Sequence, residues 1–353
     1  MNTTLSKSNY YQYCGAIHIH TKLSDGTGDI ESISNAAKKA GLDWIIITDH
    51  NSFDIEEGIY HGVYVIKGEE ISPEKSNHYL ALGISDEIAP SEDAQINVDN
   101  VRRLGGFGFA AHPDESRERR NKWKPIIWED KNIVPDGIEI WNWFSNWGDN
   151  LNDRNIFKLI YSYFKKHEII TKPASVTLDW WDYLNKNSEK IVPAIGGVDA
   201  HALKFYRYIL PVTVFSYKTC FKTITNVITT TEPLSKAFDI AKKQILTAIR
   251  QGNNVIVNRN VCNDIPQISI TNSTSTKAIG ETITLTEDTV INIQAHETVD
   301  VKIMLDGIEY SEHRIKRGRI PVLETGKYRL ELAYQGKGFA YTNPIKVVKG
   351  QLK

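Results

Sequence analysis

Six of the ten histidines in this chain stand at the ends of short apolar runs. Gly15-Ala16-Ile17-His18-Ile19-His20, Trp44-Ile45-Ile46-Ile47-Thr48-Asp49-His50, Phe107-Gly108-Phe109-Ala110-Ala111-His112 and Ile195-Gly196-Gly197-Val198-Asp199-Ala200-His201 end in imidazoles, and His78 opens the run through Ile84. Asp25, Glu69, Glu70 and Asp199 lie among them. Neutral imidazole and carboxylate are the ligand types that divalent transition metals take. Placed at successive strand ends, they would converge into one metal cluster at one end of a barrel.

Each motif has a plain structural reading when taken singly. His18-x-His20 places two side chains on one strand face, as any histidine pair at that spacing does. Asp25-Gly26 is ordinary turn chemistry, and Asp49 could cap a loop. Gly68-Glu69-Glu70 follows a buried strand, where neighbours face opposite ways, so one of the two glutamates points inward. Pro113 stops a strand and holds His112 at its mouth. Asp199 and His201 follow a Gly196-Gly197 turn. Taken together, nine such groups beside strand termini would be costly to bury without metal to pair them.

The elements that must carry these groups alternate between strand and helix from Cys14 to about residue 257. Asp29 caps a first helix whose apolar face is Ile30, Ile33, Ala37 and Ala40, and Gly41 ends it. Strands are expected at 44–48, 63–67, 79–83, 106–111, 137–141, 192–196 and 212–215, and a last helix at 235–251. This alternation predicts a parallel sheet closed into an α/β barrel, with the active site at the C-terminal strand ends. Beyond about residue 260 helical periodicity gives way to alternation, with an Asp306-Gly307 hairpin signal. That predicts a small all-β sandwich. The expected organisation is a tail at 1–13, a barrel at 14–260 and a β domain at 261–353.

The chain has 353 residues, 41% hydrophobic and 24% charged, which is globular composition. A net charge of −1 calls for neither nucleic acid nor anionic lipid. No segment has the apolar length of a membrane span. The three cysteines show no CxxC spacing, so a reducing, cytoplasmic setting is expected. The sequence is silent on oligomeric state.

As a set, His18-x-His20, Asp25, Thr48-Asp49-His50, Glu70, His78, His112-Pro113 and Asp199-x-His201 resemble the PHP (polymerase and histidinol phosphatase) superfamily, over residues 14–257. The lead into Asp199-Ala200-His201, the helix end Ala248-Ile249-Arg250-Gln251-Gly252 and Tyr341-Thr342-Asn343-Pro344-Ile345 look most like the branch that includes carbaryl hydrolase. The resemblance implies a distorted (β/α)7 TIM-like barrel holding two or three divalent metal ions (Mn, Fe or Zn). By motif, His18, His20, Glu70 and Asp199 would hold the first. Glu70, with His78 and His112, would hold the second, and Asp25, His50 and His201 the third. Glu70 is preferred to Glu69 because the family's glutamate lies two residues after the glycine. The remaining histidines, His61, His167, His296 and His313, match nothing in the family.

The implied activity is a phosphoesterase acting on a small phosphate ester, nucleotide-like compounds included, through a metal-bridging hydroxide, with Asp25, Glu70, Asp199 and His201 as the catalytic groups. Cations for the phosphate are Arg117 and Arg207, from a set that also includes Arg119, Arg120 and Lys204, and Asn142 is the expected amide at the substrate. Trp141, Trp143, Trp147, Trp180 and Trp181 add aromatic surface for a ring or base. Two other readings stay open: a hydrolase of carbamates, carboxylic esters or amides, and a non-catalytic binding module.

Overall fold

Helix α1 (Ile30–Ala40) shows how local sequence sets the frame. The Asp29 carboxylate accepts the Ser32 amide at 3.0 Å while the Asp29 amide donates to Ser32 Oγ at 3.1 Å, a reciprocal cap. Ile33, Ser34, Ala37 and Ala40 form its buried stripe, and Gly41 ends it at φ 76°. Strand β2 begins three residues later. The computed structural model describes residues 10–115, 125–149, 170–207 and 210–350, with backbone alone for 205–207 and 210–212.

The strands up to residue 258 are β1 (Tyr11–Ile19), β2 (Trp44–Ile47), β3 (Gly58–Tyr60), β4 (Val63–Ile71), β5 (Tyr79–Leu82), β6 (Phe107–Ala110), β7 (Gly137–Asn142), β8 (Ala194–Ala200), β9 (Lys204–Arg207), β10 (Leu210–Thr213), β11 (Ile224–Thr230) and β12 (Asn254–Asn258). Seven of them close a ring in the order β1, β2, β4, β5, β6, β7, β8 and back to β1. The fold is therefore mixed α/β around a closed seven-strand barrel with extra strands.

The ring departs from the expected parallel sheet at one place. β5 runs antiparallel to both β4 and β6. A short connection from β4 suffices for that, whereas a parallel pairing needs a crossover. The described helices between ring strands are α1, α2 (Ala94–Arg103), α3 (Trp143–Asp149) and α4 (Ser175–Lys186). Two further sequence expectations need correction. Residues 212–215 do not supply a barrel strand, since β10 pairs with β9 in a separate two-stranded sheet. Gly196-Gly197 is no turn but the middle of β8, where a Cβ on Gly196 would collide with Ile224 and Ile256.

The barrel interior is a packed core. Ile17, Trp44, Ile46, Ile66, Leu80, Leu82, Phe107, Phe109 and Ile195 fill it. Helix α6 (Phe238–Gln251), which follows the single turn α5 (Tyr217–Cys220), adds Ile245, Ala248 and Ile249. Its Leu246 approaches Gly83, just past the far end of β5, so α6 covers the rim opposite the histidines. Burial of this apolar surface is the main stabilising term and makes a rigid floor.

Beyond Asn258 the described residues hold no helix, and the strands are β13 (Gln267–Thr271), β14 (Thr276–Lys277), β15 (Thr282–Thr284), β16 (Val290–Leu305), β17 (Ile308–Pro321), β18 (Gly326–Tyr334), β19 (Lys337–Thr342) and β20 (Ile345–Val348). They surround a second core that includes Ile291, Ile293, Val301, Ile303, Leu330 and Phe339. The Asp306-Gly307 turn joins β16 to β17 with both residues at positive φ, as the sequence predicts. Pairings of β1 with β11, β11 with β12 and β12 with β19 carry the barrel sheet into this region.

Candidate metal centre

One rim of the barrel gathers the polar residues. His18 and His20 end β1, His50 follows β2, Glu70 lies near the end of β4, His112 follows β6, and Asp199 and His201 end β8. His78 precedes its strand. Because β5 is antiparallel, its start lies at the same rim as its neighbours' ends. This is the physical reason why one histidine opens a run while the others close theirs.

Glu70 is the hub. Its Oε2 lies 3.2 Å from His18 Nε2, 3.4 Å from His20 Nε2 and 3.0 Å from His50 Nδ1. Its Oε1 lies 2.8 Å from His78 Nδ1 and 3.2 Å from His112 Nε2. Asp199 Oδ1 faces His18 Nε2 at 3.5 Å and His20 Nε2 at 3.3 Å. Asp25 Oδ1 sits 3.2 Å from His201 Nε2 and 3.7 Å from His50 Nε2. Four overlapping groups place their ligand atoms within 4.8 Å of one another: His18, Glu70 and His112; His18, His20 and Asp199; His50, Glu70 and His78; and His20, Asp25, His50 and His201. The nine side chains singled out from the sequence are thus brought together. Glu69 turns the other way and accepts the Ile88 amide at 2.9 Å, as strand alternation requires.

The residues fit divalent cations by the atoms they leave over. His18 Nε2, both ring nitrogens of His20 and Glu70 Oε2 are buried without hydrogen-bond partners. Orphaned groups of this kind are costly in a protein interior, and a cation coordinated by them removes the cost. The backbone is also held out of its ordinary range: His18, His112 and Asp199 have φ of 68°, 28° and 49°. Such conformations cost about 1–3 kcal/mol each and persist where the surroundings impose them. The β1–β8 ladder shifts register between Ile17 and Ile19, a bulge that re-aims His18.

Two groups staple the loop that carries Asp25. Buried Asp49 accepts the Thr21 amide at 2.7 Å and the hydroxyls of Thr21 and Ser24 at 2.8 and 2.5 Å. The Tyr217 hydroxyl donates to the His20 carbonyl at 2.7 Å and accepts the Thr27 and Gly28 amides. Sequence reading left both out of the site. Asp49 carried a signal, as a carboxylate between Thr48 and His50 at a strand end; Tyr217 carried none.

Electrostatics set the protonation of the metal-free cluster. Burial works against the charge on Glu70, but the imidazoles of His50, His18 and His78 outweigh it and hold the carboxyl well below its usual range. Asp199 is likewise held well below, burial being overcome by His18 and His201. Burial, with His201 and His50 nearby, pushes His20 down to about 3, so it is neutral and ready to ligate. For His50, burial is overcome by Glu70 and Asp25 and the group rises to about 9; for His112, by Glu115 and Glu70, again to about 9. At neutral pH these two rings therefore carry protons that a cation must displace, because only neutral imidazole ligates. Mn2+ binding at pH 7 is expected to release protons, and its affinity to climb from pH 6 through about 9. Calorimetry in buffers of different ionisation enthalpy reads this directly; uptake without net proton release would contradict it.

Of the expected substrate groups, Arg117, Arg119 and Arg120 lie outside the described residues, as does the Arg207 side chain, whose backbone belongs to β9. Lys204 opens β9 with its side chain exposed. Asn142 is buried in the wall. Its Nδ2 lies 3.1 Å from Glu139 Oε2 and 3.3 Å from Asp199 Oδ2, and its Oδ1 accepts the Ser145 amide. A narrow cleft runs from His112 past Asn142 and Ser145 to Thr177 at the start of α4. Among the tryptophans, Trp143 and Trp147 pack edge-on to Phe215, and the Phe144 ring lies 5.6 Å from His201.

The chain is similar to several known proteins. An uncharacterized protein of Methanocaldococcus jannaschii is 28% identical over 115 residues; the match takes in 28% of this chain and 66% of that protein's length. The chain is also similar, at 15% identity and a TM-score of 0.45, to a two-domain protein from Bacteroides vulgatus described as containing a predicted PHP-like metal-dependent phosphoesterase, over 95% of this chain and 96% of that one. Residues 16–126, which carry seven of the nine clustered side chains from His18 to His112, match the family model of the PHP domain.

Proposed function

We propose that this protein is a metal-dependent phosphoesterase of the PHP type, acting on a small phosphate ester. The observation that carries the reading is Glu70, a buried carboxylate whose two oxygens face five imidazoles at 2.8–3.4 Å. A carboxylate whose two oxygens each face imidazole nitrogens would help hold more than one cation. Bound there, divalent cations (Mn, Fe or Zn) would supply a Lewis acid and a water of lowered pKa.

The chain's own groups then divide the remaining work. His18, His20, Glu70 and Asp199 hold the buried part of the centre, and His78 and His112 flank Glu70. Asp25, His50 and His201 form its outer part. Asp25 is the cluster carboxylate open to solvent, with 55% of its side chain exposed and His201 Nε2 at 3.2 Å. That pair stands where a proton can enter or leave. Glu70 and Asp199, held ionised, orient imidazoles and carry charge but no proton. The cleft beside His112 gives the substrate a place, and the Phe144 ring beside His201 suits an aromatic or nucleoside leaving group. Arg117 and Arg207 are the proposed phosphate-binding cations, and Asn142 the amide at the cleft wall. Residues 14–260 would form the catalytic domain and 261–353 a β-sandwich appended to it.

The test is a hydrolysis panel on protein stripped with EDTA and reloaded with Mn2+. Turnover of phosphomonoesters or phosphodiesters that is lost on stripping and restored by metal is expected. Turnover of aryl carbamates alone would transfer the assignment to the carbaryl-hydrolase-like chemistry. Tight metal uptake with no turnover of any class would leave a binding module.

A further inference from the structure

Glu139 belongs to none of the four ligand groups, yet it is a buried carboxylate in the middle of the apolar strand β7. Its Oε1 accepts the His18 Nδ1 hydrogen at 2.8 Å. Its Oε2 accepts the His112 amide at 2.7 Å and Asn142 Nδ2 at 3.1 Å. On β8, opposite Asn142, stands Gly197, where a Cβ would run into Glu139 Oε1. The room for this carboxylate therefore depends on a residue without a side chain, and the β7–β8 register shifts between Glu139 and Trp141 beside it.

The consequences fall on two clustered residues at once. With Nδ1 engaged by Glu139, His18 turns Nε2 toward Glu70 Oε2 and Asp199 Oδ1, the nitrogen it would offer to a cation once the ring is neutral. The same carboxylate fixes the backbone of His112 at the left-handed φ of 28° that aims its ring at Glu70 Oε1. We infer that Glu139 is a positioning residue: it sets the tautomer of His18 and the backbone of His112, and so preorganises the His18–Glu70–His112 group for its cation. A carboxylate behind a ligating histidine commonly does this, and removing one weakens metal binding by roughly 10–100-fold. The inference rests on the metal-centre reading above.

The experiment titrates EDTA-stripped full-length protein with Mn2+, following free Mn2+ by electron paramagnetic resonance, for the wild type, Glu139→Gln and Glu139→Asp. Melting of each metal-free protein is recorded alongside. Glu139→Gln keeps the volume and an acceptor for the His112 amide but removes the charge behind His18. It should bind Mn2+ about 10–100-fold more weakly with a metal-free melt close to that of the wild type. Glu139→Asp, a carboxylate one methylene shorter, should recover part of the affinity. Equal affinity in wild type and Glu139→Gln overturns the inference. So does loss of the cooperative melt in both variants, which would make Glu139 a requirement of the fold. Failure of the wild type itself to take up Mn2+ is a different result and removes the metal-centre reading instead.

Discussion

Replacing Glu70 with glutamine is expected to weaken metal binding at the ligand groups that contain it and to lower turnover by roughly 10^3-fold, the scale on which removal of one preorganised charge-stabilising group acts. The argument is geometric first. Both oxygens face imidazoles, Oε2 those of His18, His20 and His50 and Oε1 those of His78 and His112. An amide offers one acceptor where the carboxylate offers two, and it carries no charge to balance cations. Two of the four ligand groups contain Glu70, so two lose their anion. The metal-free protein should respond as well. His50 rises to about 9 because Glu70 leads the groups that overcome its burial. A raised folded-state pKa contributes stability that is full below the unfolded value near 6.5 and is lost as pH climbs through about 9. Without Glu70 that contribution disappears, so the metal-free variant should melt below the metal-free wild type at pH 6, and the gap should narrow toward pH 9. Metal analysis, turnover and melting together check this. Glu69→Gln is the control: Glu69 meets the Ile88 amide and not the cluster, so metal content should be unchanged. A Glu70→Gln protein with its full metal complement would remove Glu70 from the centre.

Strand alternation admits only one inward carboxylate of those two, and the resemblance to the PHP superfamily, whose glutamate lies two residues after a glycine, pointed to Glu70. The convergence of nine groups was legible for a similar reason: strand ends at one rim of a barrel have to meet. The first helix was readable to the residue, since Asp29 and Gly41 both act through local backbone geometry. Where local signals compete or are missing, the reading fails. The last helix begins at Phe238 and not Ser235, because Ser235 Oγ accepts the Ala237 amide and holds a turn there. Trp180 and Trp181 belong to helix α4, which no side chain caps at Ala174, so the chain carries no start signal. Its helicity is imposed by packing. Glu139 did leave a trace, a lone carboxylate between Ile138 and Ile140, but its partner is set by the β7–β8 register, which sequence does not encode locally. The left-handed backbone at His18, His112 and Asp199 left none.

Helix α4 also carries the second large expected effect, on stability and not on metal. Arg329 of β18 reaches it with a guanidinium whose side chain is only 4% exposed. Nε and Nη2 donate to the two oxygens of Asp182, each at 2.6 Å, and Nη1 donates to Glu331 at 2.6 Å. The guanidinium also lies over the Trp181 ring at 5.3 Å. One turn on, Lys327 Nζ donates to the carbonyls of Asn185, Ser188 and Lys190, supplying a cation where the end of the helix presents unpaired oxygens. Arg329→Met strands the Asp182 carboxylate against an apolar wall. Breaking one side of a buried pair costs about 3–5 kcal/mol, which should lower the melting midpoint by at least about 5 °C. Replacing both partners, Arg329→Met with Asp182→Leu, should return most of that loss, because no charge is left buried without a partner. Mn2+ affinity of the single variant, measured below its transition, should stay near the wild-type value, since no clustered side chain lies on α4 or β18. Substrate affinity should fall, because Thr177 at the start of α4 lines the cleft and donates to Asp114. A melting midpoint unmoved by Arg329→Met would show that the clasp between β18 and α4 is solvated and holds nothing. Unchanged substrate affinity with a lowered midpoint would confine its role to stability.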